Sequence, residues 1–459
     1  MSLVPARTRL FAVWRRVLSL SWPVTAEHVL RTLMRTVDIV VTGLFSPAAI
    51  SAIGLADLYA RLPLRIGLGL GAGGIALSSQ DTGRDATGAR DEAIAQALLL
   101  GLLSGLPFAV FGVLLGEWAI ALLGAPGSVA RMGGAYLAIV FATSPARHVG
   151  LVAARALQGT GDTRTPMYVN GVSNGLNIVA SVALGLGIGP FPELAIVGVG
   201  LATALGNAFT AVALTLAIAS SYTDAGLSRP RDLTIAKQLL RISLPKIGEG
   251  VAEAGAEFPF NALLVAFGTE VHAGYQVGRR VYQQFTSPLS RGYNVGASIV
   301  VGQSLGGGDA DEARYDGWAT AALGLVTVGA LGAALVLGAE VVAQAFTDDP
   351  ATLAYGTGFA RAYGVAAPFL AVFVALSGAL QGGSDTRTPL LARVTGLFGF
   401  FLGFSYLASV VFGYGVVGVY AGVVLHYVWS MAVVAVGFHW GGWAGRAASM
   451  MEARSSADD

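Results

Sequence analysis

Residues 156–166 read ALQGTGDTRTP, and residues 379–389 read ALQGGSDTRTP. Nine of these eleven positions agree, at an offset of 223 residues in a chain of 459. Self-similarity at a fixed offset marks an internal duplication, here of about half the chain. Both copies lie in apolar sequence: 54% of residues are hydrophobic and only 12% are charged. A soluble chain of this length needs more charge to cover its surface. The sequence therefore describes a duplicated membrane protein, a design typical of secondary transporters.

Several chemistries are excluded at once. A net charge of +1 leaves no basic footprint for nucleic acid. There is no cysteine, and the five histidines are scattered without metal-ligand spacing. Lys237 and Lys246 are the only lysines, and neither follows a glycine-rich phosphate loop. The chain reads as neither an ATP-driven machine nor an enzyme, and no organic cofactor is expected. The 63 glycines lie within apolar segments, where small residues let membrane helices approach closely. Arg7, Arg9, Arg15 and Arg16 precede the first apolar run, but Pro23, Glu27, His28 and Arg31 follow without a cleavage site. This start is read as a retained first helix.

A membrane-spanning helix needs about 20 apolar residues. The pattern predicts an all-α polytopic protein with six spans per half. In the first half they lie at 17–45, 48–79, 93–116, 128–157, 165–188 and 194–220. In the second they lie at 234–268, 271–303, 313–345, 351–381, 388–412 and 416–440. Residues 1–220 and 234–459 are the expected six-helix bundles, joined by a polar bridge at 221–233. Arg15, Arg16, Arg84, Arg90, Arg164, Arg229, Arg231, Lys237, Arg314, Arg387 and Arg446 mark one set of turns. The opposite turns are nearly free of base, which places both termini and the bridge in the cytoplasm. An even span count makes the two repeats parallel, so all twelve helices form two bundles of the same orientation. In the repeated DTRTP, Thr165 and Thr388 are expected to cap a helix, with Pro166 and Pro389 at its first position.

Ionisable groups within a span are costly and usually functional. The first helix nonetheless carries Glu27, Arg31, Arg35 and Asp38 on one face. The first helix of the second half carries Glu249, Glu253 and Glu257. Aligning Pro23 with Pro245 superposes Glu27 on Glu249, Arg31 on Glu253 and Arg35 on Glu257. Second helices add Asp57, Arg61 and Arg65, then Arg279, Arg280 and Arg291. Two readings stand: ion pairs that join helices, or the lining of a substrate and ion pathway. One set of contacts can serve both.

These features together resemble the multidrug and toxic compound extrusion (MATE) transporters. TVDIVVTG at 36–43 looks like that family's first-helix motif, LQGTGDTRTP at 157–166 like the turn before its fifth helix, and GQSLGGGDADEAR at 302–314 like the turn after its eighth. The stretch SQDTGRDATGARDEA at 79–93 is a weaker counterpart of the last. The resemblance implies antiport by two alternating six-helix bundles, driven by Na+ or H+. It matches Asp38 to the family's titrating carboxylate, Asn177 to an ion-binding asparagine and Thr203 to an ion-binding threonine. Ser181 departs from the pattern, standing where a second aspartate is found. Asp38, Asn177, Ser181 and Thr203 still offer the oxygens a hard cation wants. Loss of the second carboxylate and the nearness of Arg35 favour sodium over a proton cycle. A seventh-helix glutamate of some branches is matched by Glu253, or by Glu249 or Glu257 one turn away.

The expected substrate is a small amphipathic organic compound, met in a cleft lined by Glu27, Arg31, Arg35, Asp57, Glu249, Glu253, Glu257 and Arg279. The expected setting is the cell membrane, with surrounding lipid as the other partner and the protein as a monomer. The competing reading from the same superfamily is a flippase for anionic lipid-linked precursors, because guanidinium groups suit phosphates.

Overall fold

The computed structural model describes residues 6–231 and 233–455 and is helical almost throughout. The chain runs through α1 (Ala6–Gly43), α2 (Pro47–Gly83), α3 (Thr87–Leu122), α4 (Gly127–Ala142), α5 (Ser144–Thr160), α6 (Arg164–Leu186) and α7 (Ala195–Ala219). After the bridge come α8 (Thr234–Ala266), α9 (Thr269–Phe285), α10 (Ser287–Gly306), α11 (Ala310–Gln344), α12 (Pro350–Gly382) and α13 (Arg387–Thr395). The wider π-helical turns Gly396–Phe404 and Leu407–Val411 continue α13, followed by α14 (Val416–Trp440) and α15 (Trp443–Ser455). Eight of these helices are long and apolar enough to cross a membrane. The pair α4–α5, bent by 46°, makes a ninth. The remaining expected spans are α1, α8 and α9–α10, the segments that carry the charged stripes. Large side chains such as Leu337 (88% exposed) and Phe258 (75% exposed) point outward, which suits lipid and not water.

Local chemistry sets the helix ends. Ser46 Oγ accepts from the Ala49 N–H at 3.2 Å, and Pro47 opens α2. Asp309 receives the Glu312 N–H at 2.7 Å at the start of α11. Asp349 receives the Thr352 N–H at 2.7 Å at the start of α12. That bond holds the exposed Asp349 carboxyl below the usual carboxylate range. In the two DTRTP turns the cap is not the expected threonine. Asp162 Oδ1 accepts from the N–H groups of Arg164 (3.1 Å) and Thr165 (2.9 Å). Asp385 Oδ1 does the same for Arg387 and Thr388, both at 3.1 Å. A carboxylate can take two orphan N–H groups, so the helix starts at the arginine and the proline falls at its third residue. Asp385 also holds the Thr388 hydroxyl at 3.1 Å and pairs with Arg446. Asp162→Ala should therefore cost about 1 kcal/mol, and Asp385→Ala about 2–3 kcal/mol, read as thermal unfolding in detergent.

Two compact units divide the chain. The N-terminal unit contains Ala26–Ile247 and the tail from Ala453. The C-terminal unit contains the stretch ending at Thr25 and Gly248–Glu452. The division does not fall at the 221–233 bridge. It falls inside α1 and α8, just beyond Pro23 and Pro245. A proline removes a backbone hydrogen bond and frees the two parts of a helix to pack against different neighbours. The sequence repeat and the packing unit thus have different borders.

Glycines explain how the leading segments fit. In the C-terminal unit a Cβ on Gly292 would lie 2.4 Å from Thr25 Oγ1, and one on Gly296 would lie 2.5 Å from Ser21 Oγ. In the N-terminal unit a Cβ on Gly69 would lie 2.4 Å from Ile247, and one on Gly73 would lie 2.8 Å from Ser243 Oγ. The two pairs occupy equivalent positions of the repeat. Each leaves a groove on α2 or α10 for the stretch of α8 or α1 around its proline. Val13 and Val17 then join the core built on Tyr293, Ala297 and Val300. The bridge is held to the N-terminal unit as well. Asp91 accepts from Gly226 N at 3.0 Å, and Glu92 accepts from Arg231 N at 2.7 Å.

Candidate functional site

The four residues expected to hold an ion come together in the N-terminal unit. Asp38 sits in the last part of α1, beyond Pro23. Ser181 Oγ on α6 donates to Asp38 Oδ1 at 3.0 Å. Asn177 lies one turn before Ser181, so both face the same way. With its amide nitrogen turned to Asp38, Asn177 donates to Oδ1 at 3.3 Å and accepts from the Thr203 N–H at 3.3 Å. In the opposite orientation its Oδ1 accepts from Ser181 Oγ at 3.4 Å and its Nδ2 donates to Thr203 Oγ1 at 3.5 Å, so the amide can turn either its nitrogen or its oxygen to the site. Thr203 on α7 donates its hydroxyl to Val199 O at 3.1 Å, which leaves its oxygen lone pairs available. The donor set is one carboxylate, one amide and two hydroxyls. Hard oxygen donors of this kind fit Na+, and Asp38 supplies the charge.

Further charge surrounds this set. Glu27 is buried and receives Arg31 Nη2 at 2.7 Å, one helical turn away. Asp57 on α2 lies in the electrostatic reach of Arg35, Arg61 and Arg147. Arg147 and Tyr136 were not singled out from the sequence. Tyr136, on α4 and buried, interacts with Asp57, Asp38 and Thr203. Arg147, on α5 just after the Pro145 bend, interacts with Asp57 and Tyr136. The available signal for Arg147 was a cation near the middle of the apolar stretch 128–157, between Arg131 and Arg155 towards its two ends. No spacing rule linked it to residues 90 positions upstream.

The second stripe is paired within the C-terminal unit. Glu249, buried, accepts from Arg393 Nε at 3.4 Å. The Arg393 guanidinium also stacks over Phe373, 4.7 Å from the ring centre. Glu257 pairs with Arg279. Glu253 is in electrostatic contact with Arg393 and Tyr275. Tyr282 stacks on Tyr363 at 4.8 Å nearby. Arg280 and Arg291 are exposed, and Arg291 Nε reaches Ser287 Oγ at 3.4 Å. Arg393 was also missed, since it lies in α13, far in sequence from either stripe. Among the described residues no cluster of three or more His, Cys, Asp or Glu could hold a metal.

Comparison with known proteins bears on this arrangement. The MatE family profile matches residues 23–183 and, a second time, residues 245–407. A Thermotoga maritima protein described as a probable multidrug resistance protein NorM is 25% identical over 439 residues, covering 94% of each chain. A Rhodopseudomonas palustris protein of the same description is 28% identical over 454 residues, covering 95% of this chain and 94% of that one. Among solved structures, a MATE protein in the straight conformation has a TM-score of 0.85 at 20% identity, covering 95% of this chain and 96% of its own. An outward-facing MATE family transporter of the MOP superfamily has a TM-score of 0.84 at 21% identity, covering 95% and 96%. These structures agree on the all-helical fold. The doubled family match, laid over the duplicated helices and their charged first spans, makes this chain a member of the MatE family and a membrane transporter, not an enzyme.

Proposed function

We propose that the protein is a secondary active exporter, an antiporter that drives amphipathic organic compounds out of the cell with an inward-moving cation. The observation that carries this reading is the meeting of Asp38, Asn177, Ser181 and Thr203 on three helices. A carboxylate placed in a membrane helix is retained when it is used. The relatives' description as multidrug resistance proteins supports the substrate class. Twelve spans in two parallel bundles, both termini in the cytoplasm and a monomer in the cell membrane complete the proposal.

In this reading the cation binds Asp38 with the oxygens of Asn177, Ser181 and Thr203. Binding neutralises Asp38 and changes the balance with Arg35, Asp57 and Arg147 around it. The segment of α1 beyond Pro23 carries that change, because the proline frees it from the leading segment. Glu27, Arg31, Arg35 and Asp57 in one unit, and Glu249, Glu253, Glu257 and Arg279 in the other, line the substrate path. The donor set favours sodium as the driving ion. Purified protein in vesicles, loaded with an amphipathic fluorescent cation, tests this. Release of the dye driven by an inward sodium gradient alone is expected. Transport on a proton gradient without sodium would overturn the ion assignment, and no transport on either would overturn the antiport reading.

A second reading has its own support. In the N-terminal unit Arg31, Arg35, Arg61 and Arg147 outnumber Glu27, Asp38 and Asp57. An excess of guanidinium suits an anionic, phosphate-bearing lipid. Flipping of a fluorescent lipid phosphate in the same vesicles, with no efflux of the cationic dye, would favour a flippase.

A further inference from the structure

The repeat offers an internal control at the ends of α2 and α10. Helices α2 and α10 end alike. Arg84, Asp85 and Ala86 donate backbone N–H groups to the carbonyls of Gln80, Thr82 and Asp81. Gly307, Gly308 and Asp309 donate in the same pattern to Gln303, Leu305 and Ser304. Gln80 is therefore the counterpart of Gln303, and Asp81 that of Ser304. The leading segments also correspond. Arg16 stands seven residues before Pro23, and Gln238 seven before Pro245.

In the C-terminal unit, Arg16 of α1 donates Nη2 to Gln303 Oε1 at 2.6 Å, and Ser304 donates to Asp316 at 2.7 Å. In the N-terminal unit the equivalent residue, Gln238, has no cation to offer, while Asp81 places a carboxylate where Ser304 stood. The missing guanidinium arrives from the end of the chain. Arg454 donates to Gln238 Oε1 at 2.7 Å, to Asp81 Oδ1 at 2.8 Å and to Gln80 Oε1 at 3.2 Å. The side chains of Arg454 and Asp81 are both 0% exposed. Arg84 Nε adds a bond to Asp81 at 3.0 Å, and Arg84 also donates to Ser455 Oγ. A buried, multiply bonded arginine ties the last turn of α15 down.

We propose that the C-terminal tail is a built-in strap of the N-terminal unit, with Arg454 supplying in trans along the chain the guanidinium that Arg16 supplies in the C-terminal unit. Arg454 is a positioning residue. It joins the end of α2 to the leading segment of α8 and neutralises Asp81. The strap makes the order of this unit depend on the last turn of α15. This inference is independent of which substrate or ion is carried.

The test uses full-length protein in detergent. Arg454→Gln leaves Asp81 buried beside a single cation. Its unfolding midpoint should fall by about 5 °C or more. Hydrogen exchange should quicken at 76–84 and 234–242 while the counterpart 299–307 stays protected. Adding Gln238→Arg to Arg454→Gln restores the cation at the position equivalent to Arg16, and should recover most of the lost midpoint and protection. An unchanged midpoint in Arg454→Gln would overturn the proposal. So would a failure of Gln238→Arg to recover it. If Arg454→Gln does not accumulate, the Arg454→Gln/Gln238→Arg protein should. Accumulation only of Arg454→Gln/Asp81→Asn, which removes the charge without replacing the cation, would refute the equivalence of Arg454 and Arg16.

Discussion

Asp38→Asn is expected to reduce cation-driven transport by at least tenfold while the protein still folds. The amide keeps the size of the carboxylate and can still meet Ser181 Oγ, which lies 3.0 Å from Asp38 Oδ1. It has no charge to hold a cation. A tenfold loss corresponds to about 1.4 kcal/mol of stabilisation of the transport barrier. The loss should appear with either ion if Asp38 is the coupling group. Substrate binding in the absence of a gradient should change much less. Flux in vesicles, set beside equilibrium binding of the same dye, checks both parts. Transport by Asp38→Asn at the wild-type rate would remove the carboxylate from the mechanism. Ser181→Ala should be milder, because it deletes one neutral ligand and leaves Asp38 with Asn177.

The largest effect on stability is expected at Glu249 and Arg393. Glu249 is 6% exposed, and its partner's Nε is 3.4 Å away. Removing either partner leaves the other charge less compensated in a desolvated place, at a cost of up to about 3–5 kcal/mol. Glu249→Gln and Arg393→Gln should each lower the unfolding midpoint strongly. The double replacement should cost less than the sum of the two, because neither charge of the pair then remains to be compensated. A double-mutant cycle by thermal unfolding measures the coupling. Additive effects would show that the two side chains act apart. Glu257→Gln should behave similarly towards Arg279, with a smaller effect, since both side chains are more exposed there.

The sequence was most informative where chemistry is local or repeated. The two DTRTP turns announced the duplication, and the duplication placed Pro23 against Pro245. Helical spacing put Glu27 beside Arg31, and that pair forms as the periodicity requires. Asp38, Asn177, Ser181 and Thr203 were found through resemblance to the MatE motifs, and they do lie together. The cap residue in DTRTP was misjudged because the threonine and the aspartate are both good caps. Only backbone geometry tells which oxygen reaches the free N–H groups.

The sequence by itself determined that this chain is a duplicated membrane protein with charged first helices, because apolar length, repeated motifs and helical faces can be read along the chain without knowing which segments meet. It could not decide which segments would meet. Arg393 joins Glu249 from 144 residues away. Arg454 closes on Asp81 from 373 residues away. Arg147 and Tyr136 gather around Asp57 by the bend between α4 and α5. Such partners are chosen by packing: glycine grooves admit the leading segments of α1 and α8, and buried charges then settle on whichever counter-charge the close approach leaves within reach. That choice exists only in the tertiary structure, since the cost of an unpaired buried charge appears only once the helices have excluded water and lipid from around it.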